Sequence, residues 1–120
     1  MSNSQVVTER DVLARDLTAF QYNILVILSR DAMYGLAIKR ELEAYYKSEV
    51  NHGRLYPNLD ELVEQGLIEK SELDKRTNQY ALTDDGYEAV LEQLEWIFAY
   101  LVTSDERAEE LTAAVDAARD

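Results

Sequence analysis

With 120 residues, 47% of them apolar, the chain can bury one modest core and little more. It has no cysteine, which excludes a disulfide framework, a thiolate metal site and a thiol redox sensor, and its one histidine, His52, argues against zinc. A formal net charge of −12 would repel nucleic acid at long range, and the longest apolar runs, Ile24 to Leu28 and Trp96 to Val102, fall far short of the roughly 20 residues of a membrane span.

Residues 1–16 are polar and acidic and read as an N-terminal arm, with some helical potential from Glu9 to Ala14. The start, Met1 to Gln5, lacks the basic segment and apolar core of a signal peptide, so a cytoplasmic location is expected. Thr18-Ala19-Phe20-Gln21 fits a capping box that opens a first helix, which ends near Ser29 and is apolar nearly all round. A second helix is expected from Tyr34 to Tyr46, with Ile38, Leu42 and Tyr45 on one inward stripe and Lys39 and Arg40 off it. Asn51 is a good N-cap for a third helix that buries Leu55, Leu59, Leu62 and Val63, carries Pro57 inside it and stops at Gly66.

Ile68 to Leu73 and Asn78 to Leu82 read as two short strands joined by the turn Asp74-Lys75-Arg76-Thr77. Thr83 caps a fourth helix, with Asp84 and Asp85 at its positive dipole end and a long apolar stripe of Tyr87, Val90, Leu91, Leu94, Ile97, Phe98 and Leu101. A last helix, from Asp105 to about Ala118 behind a Ser104 cap, offers only Ala108, Leu111, Val115 and Ala118 to a core. This order describes a mainly α fold with a small β-hairpin, an α+β winged helix-turn-helix. The expected organisation is an arm over 1–16, a winged-helix DNA-binding domain over 17–82 and a C-terminal helical dimerisation region over 83–120.

The charge is unevenly placed. From Thr83 onward there are 11 acids and two bases, a net of −9, whereas residues 1–82 carry 13 acids and 10 bases, a net of −3. Val50 to Leu59, Ala32 to Arg40 and Lys75 to Leu82 hold no carboxylate, in a chain that has 24. A surface cleared of carboxylates in this way suits a negatively charged partner, and double-stranded DNA is the expected one. On a helical wheel Gly53, Arg54, Tyr56 and Pro57 point outward at the start of the third helix, where such helices meet base edges; Arg54 is the candidate for a forked contact to guanine. Asn51, His52 and Asn58 complete that candidate surface. His52 is open to two readings, a phosphate or base ligand and a plain helix-end residue. Lys75, Arg76 and Asn78 on the wing, and Lys39 beside the exposed amides of the second helix, are candidates for backbone phosphates.

The fourth-helix stripe is too long for a small core and is expected to form a homodimer seam, which would set two recognition helices roughly 34 Å apart on a pseudo-palindromic site. No nucleophile–base pair, phosphate-cradling glycine loop or metal-ligand cluster is present in the sequence, so neither catalysis nor a cofactor is expected. Only Lys39, Lys47, Lys70 and Lys75 are lysines, and this lysine-poor acidic balance resembles proteins of salt-accumulating halophiles. In molar salt the Debye length falls to about 3 Å, and solvent cations can bridge the remaining repulsion. The competing reading is a winged-helix module that binds a protein through its fourth helix and touches no DNA.

Gly53-Arg54-Leu55-Tyr56-Pro57-Asn58-Leu59, continuing to Leu62 and Gly66-Leu67-Ile68, resembles the signature of the PadR family of transcription regulators. The likeness extends to Leu17-Thr18-Ala19-Phe20, to Tyr34-Gly35 and to Tyr80-Ala81-Leu82-Thr83-Asp84-Asp85-Gly86, and so covers about residues 17–101. It implies a dimeric winged-helix regulator, usually a repressor, joined through its C-terminal helices. The acidic composition is similar to that of haloarchaeal members that respond to oxidative stress; without cysteine such a response would be indirect or use Met33. Arg54 stands where relatives usually carry a small hydroxyl residue, which implies a different base readout. The short tail after Ser104 leaves little for a family-style effector pocket.

Overall fold

The computed structural model describes residues 16–74 and 77–120. The expected arm, up to residue 15, and the wing-tip residues Lys75 and Arg76 lie outside them. The described elements run α1 (Ala19–Leu28), β1 (Met33–Tyr34), α2 (Gly35–Tyr46), α3 (His52–Glu64), β2 (Ile68–Asp74), β3 (Thr77–Leu82), α4 (Asp84–Leu101) and α5 (Asp105–Arg119). The antiparallel sheet has the order β1-β3-β2, so the expected hairpin gains a third strand: Met33 lies opposite Tyr80 and Tyr34 opposite Gln79. Two residues are too few to show a strand pattern, and β1 exists because β3 offers it an open edge.

The capping box forms as the sequence predicts. The Gln21 amide donates to Thr18 Oγ1 at 3.1 Å, and the Thr18 amide donates to Gln21 Oε1 at 3.2 Å. From there α1 buries Phe20, Gln21, Ile24, Leu25 and Leu28. Phe20, Ile24, Leu25 and Leu28 pack with Ile38 and Leu42 of α2, Leu55, Leu59 and Leu62 of α3, and Ile68 and Tyr80 of the sheet, in one core. Each such side chain withdrawn from water stabilises the fold by roughly 1.5–3 kcal/mol.

One expectation about the core fails. Tyr45, placed on the inward stripe of α2, is 70% exposed, and its neighbour Tyr46 takes the packed position instead. Cover decides this: Tyr46 stacks on Phe20, with ring centroids 6.1 Å apart, and its hydroxyl accepts from Asn23 Nδ2 at 3.0 Å. Nothing comparable lies over Tyr45, whose ring meets the edge of Tyr46.

α3 opens on Asn51, whose Oδ1 accepts from the Gly53 amide, and ends where Gly66 adopts φ 77°. The Gly66 amide donates to Val63 O and the Leu67 amide to Leu62 O, each at 3.0 Å, closing the last turn. Pro57 sits inside α3, which nevertheless runs unbroken to Glu64. Thr83 ties the end of α3 to the start of α4. Its hydroxyl donates to Gly66 O at 2.7 Å and accepts from the Gly86 amide at 3.0 Å.

The chain divides into two compact units, one ending at Val90 and one spanning Leu91–Asp120, with the division falling inside α4. In the first, the Tyr22 hydroxyl donates to Val90 O at 3.3 Å, and burial raises the Tyr22 pKa. In the second, Ser104 caps α5 by accepting from the Arg107 amide at 3.2 Å, and no residue of α5 is buried. No described helix is long and apolar enough to cross a membrane.

Candidate nucleic-acid interface

The first half of α3 is the core of the candidate site. Asn51, His52, Gly53, Arg54 and Pro57 are exposed, whereas Tyr56 and Asn58 are half-buried. Tyr56 is therefore not the free outward residue that the wheel placed there. Its ring lies against the first turn of α2, where Gly35 has no side chain to block it, and it stacks on His52 with centroids 5.6 Å apart and planes 3° from parallel.

Asn58 faces inward as well. Its Oδ1 accepts from Gln21 Nε2 at 3.0 Å and its Nδ2 donates to Arg54 O at 2.7 Å, so both ends of the amide serve the fold. Arg54 remains on the surface, with its guanidinium carbon 3.9 Å from the centre of the Phe20 ring. Glu61, farther along α3, accepts from Gln21 Nε2 at 3.1 Å.

Beside Tyr56 runs a groove of about 430 Å³, lined by Tyr34, Gly35, Leu36, Ala37, Arg40, Tyr56, Thr77, Asn78 and Tyr80. It joins the start of α2, the first half of α3 and strand β3 of the wing. No lining residue is a carboxylate and one is arginine. Tyr34, the N-cap of α2, makes no side-chain capping bond, and among the described residues no side chain caps the first amides of α2. Tyr80 is fully buried at the groove, and burial first, then Asp60 and Tyr56, raises its hydroxyl pKa.

The two cations of α2, Lys39 and Arg40, have different surroundings. Lys39 Nζ is 2.9 Å from Glu43 Oε2, and that oxygen accepts from the Val50 amide at 2.9 Å. Lys39 is half-buried and paired, whereas Arg40 is exposed and lines the groove. Both lie in the acid-free window Ala32–Arg40, of which Lys39 was the residue expected at the site. Tyr34, Gly35, Leu36, Ala37, Thr77 and Tyr80 were missed as lining residues; the acid-free windows Ala32–Arg40 and Lys75–Leu82 contain all six. Asn78 also lines the groove.

Of the expected seam residues on α4, Tyr87, Leu91, Leu94 and Leu101 are exposed, and Ile97 and Phe98 are half-buried. Val90 is half-buried against the core of its own chain. Trp96 and Tyr100, 59% and 69% exposed, pair with centroids 4.9 Å apart. Among the described residues no cluster of His, Asp and Glu could hold a metal ion.

The fold and its residues have clear relatives. A solved structure of H. salinarum RosR, grown from NaBr, is 63% identical, covering 89% of this chain and 99% of that one, with a TM-score of 0.81. The complex structure of hsRosR-S4 is 61% identical over 92% of this chain and 98% of that one, with a TM-score of 0.84. F93 from STIV, a winged-helix DNA-binding protein, shares the fold at a TM-score of 0.55 and 19% identity, covering 70% of this chain and 89% of that one. Among curated proteins, the transcriptional activator GvpE of Haloferax mediterranei is 27% identical over 97 residues, which are 81% of this chain. The chain spans about half, 47%, of that relative's length. Residues 24–92 match the model of the transcriptional regulator PadR-like family, and with the winged-helix architecture this shows that the chain belongs to that family.

Proposed function

We propose that this chain is a transcription regulator that binds double-stranded DNA sequence-specifically as a homodimer, with α3 in the major groove and the wing over the flanking backbone. The observation that carries the reading is that neither the exposed first half of α3 nor the lining of the adjoining groove contains a carboxylate. A protein of net charge −12 keeps its acids off this surface and sets Arg54 on one flank of α3 and Arg40 on the other. His52, Gly53, Arg54 and Pro57 face the bases, while Arg40, Asn78 and the uncapped amides of α2 take phosphates, with Lys75 and Arg76 at the wing tip. Lys39 contributes little, because a phosphate would have to displace Glu43.

The homodimer rests on the apolar stripe of α4, where Tyr87, Leu91, Leu94 and Leu101 stay exposed in the single chain. A second copy covers them and supplies the other half-site. The setting is a cytoplasm of high salt, with solvent cations bridging acidic neighbours to DNA, and an oxidative-stress response as the resemblance to haloarchaeal regulators implies.

The test uses the duplex that the wild-type protein selects from a random pool, titrated across molar potassium chloride. Arg54→Ala is expected to weaken the selected duplex more than a scrambled one, and Arg40→Ala to weaken both. The affinity of the wild type should fall less steeply than the usual loss of about 0.9 log units per log unit of salt for each phosphate contact. Unchanged affinity in both variants would point instead to a module that binds protein through α4.

A further inference from the structure

We infer that Phe20 and Gln21, adjacent residues in the first turn of α1, are positioning residues for Arg54: one holds its guanidinium, the other its backbone. The inference rests on the reading of α3 as the DNA-reading helix and adds what sets the geometry of its principal side chain.

The hydrogen bonds leave the Gln21 amide one orientation. Its Oε1 accepts from the Thr18 amide, so its Nε2 must face α3, where it donates to Asn58 Oδ1 at 3.0 Å and to Glu61 Oε2 at 3.1 Å. The flipped amide would set its oxygen against two acceptors and leave the Thr18 amide without its bond. Asn58 is fixed in turn. Its oxygen is used by Gln21, so its Nδ2 points along α3 and donates to Arg54 O at 2.7 Å. The chain Thr18, Gln21, Asn58, Arg54 thus links the N-cap of α1 to the backbone of the reading residue. Gln21 is buried, and a buried amide with its polar atoms paired resists rearrangement.

The side chain is held from the same turn. The Arg54 guanidinium carbon sits 3.9 Å from the centroid of Phe20, whose other role is to pack in the core and stack on Tyr46. An arginine over an aromatic face at the surface gains little energy, on the order of a twofold to fivefold bias in population. That bias narrows the rotamers of a long side chain, and a guanidinium stacked by its face keeps its N–H edge free to meet guanine without leaving the ring. Arg54 is therefore kept ready on α3 at low cost, and its freedom in solution is reduced before DNA arrives.

Phe20→Leu keeps apolar bulk but removes the ring face, and Gln21→Met keeps length but removes the relay. Thr18→Ala is the control, because it removes the other half of the capping box and weakens the start of α1 while leaving the relay intact. The readout is the ratio of affinities for the selected and scrambled duplexes at one fixed molar concentration of potassium chloride, with NMR of the Arg54 side chain in the free protein. Phe20→Leu and Gln21→Met should each lower the ratio about twofold to fivefold, in the direction of Arg54→Ala, and should have no further effect in an Arg54→Ala background. Phe20→Leu should also abolish the ring-current shift of the Arg54 protons, while Thr18→Ala keeps both the shift and the ratio. Retention of the full ratio in both variants, with Arg54→Ala losing it, would overturn the positioning role alone. An equal loss in Thr18→Ala would overturn it too, as an effect of helix stability. An unchanged ratio in Arg54→Ala would remove the DNA-reading role of α3, and the positioning role with it.

Discussion

Gly35 and Tyr56 occupy one volume: a Cβ built on Gly35 would lie 2.6 Å from the Tyr56 hydroxyl and 3.0 Å from its Cε1. The first turn of α2 and the reading half of α3 meet at this point, and the missing side chain lets them. Because the obstructing atoms are the far end of a mobile side chain, Gly35→Ala is expected to expel the Tyr56 ring instead of unfolding the protein. Alanine also restores helix propensity worth up to about 1 kcal/mol, so the denaturation midpoint should barely move. Affinity for the selected duplex should fall several-fold, because the groove and the His52–Tyr56 stack are both disturbed. A large fall in midpoint would show that the ring cannot yield.

Gly86 is the opposite case. A Cβ there would overlap the carbonyl oxygen of Leu67, a backbone atom fixed by the Thr83 amide that donates to it at 3.1 Å. Gly86→Ala is therefore expected to destabilise the protein by about 3 kcal/mol, at the upper end of overpacking costs. Urea denaturation at constant salt measures it. A loss within error of zero would mean that the start of α4 can lift off α3 freely.

The turn between α2 and α3 carries a pH dependence. The Val50 amide, and then Lys39, hold the Glu43 carboxyl below the usual glutamate pKa. The folded pKa is depressed relative to the unfolded chain, so the stabilisation is fully present above the unfolded value and is lost as pH falls through the folded one. Glu43→Gln should accordingly be less stable than the wild type near neutrality, with the gap closing as pH drops below the usual glutamate range. A gap that stays constant through acid pH would show that the carboxylate charge plays no part.

Lys47 ends α2 with φ 57°, in the left-handed region, while its amide donates to Glu43 O at 2.7 Å. A residue with a Cβ pays roughly 1–2 kcal/mol there, part of which glycine returns as extra freedom in the unfolded chain. Lys47→Gly should raise stability by about 0.5–1 kcal/mol. A lowered midpoint would mean that the lysine side chain makes a contribution larger than its strain.

The helices, their caps and the hairpin were legible because each rests on local chemistry: Thr18 with Gln21, Asn51, Gly66, and Ser104 all act within a few residues. What escaped reading was long-range. β1 exists only through Tyr80 and Gln79, far along the chain, and Tyr46 displaces Tyr45 only because Phe20 and Asn23 lie over it. The site divides in the same way. Charge spacing marked three carboxylate-free windows, and the structure joins the accessible parts of them into one face. Spacing could not show that Lys39 is spent on Glu43, that Asn58 faces Gln21, or that Arg54 lies on Phe20, since each depends on which element packs beside it.

The central claim is that DNA is held on the face built from the start of α3 and the groove beside it. Titrating isotope-labelled protein with the selected duplex in molar potassium chloride, and following every backbone amide, tests this directly. The largest shifts are expected at His52, Gly53 and Arg54, from Gly35 to Arg40 and at Asn78. Shifts confined to α4 and α5, with these residues unmoved at saturating DNA, would contradict it.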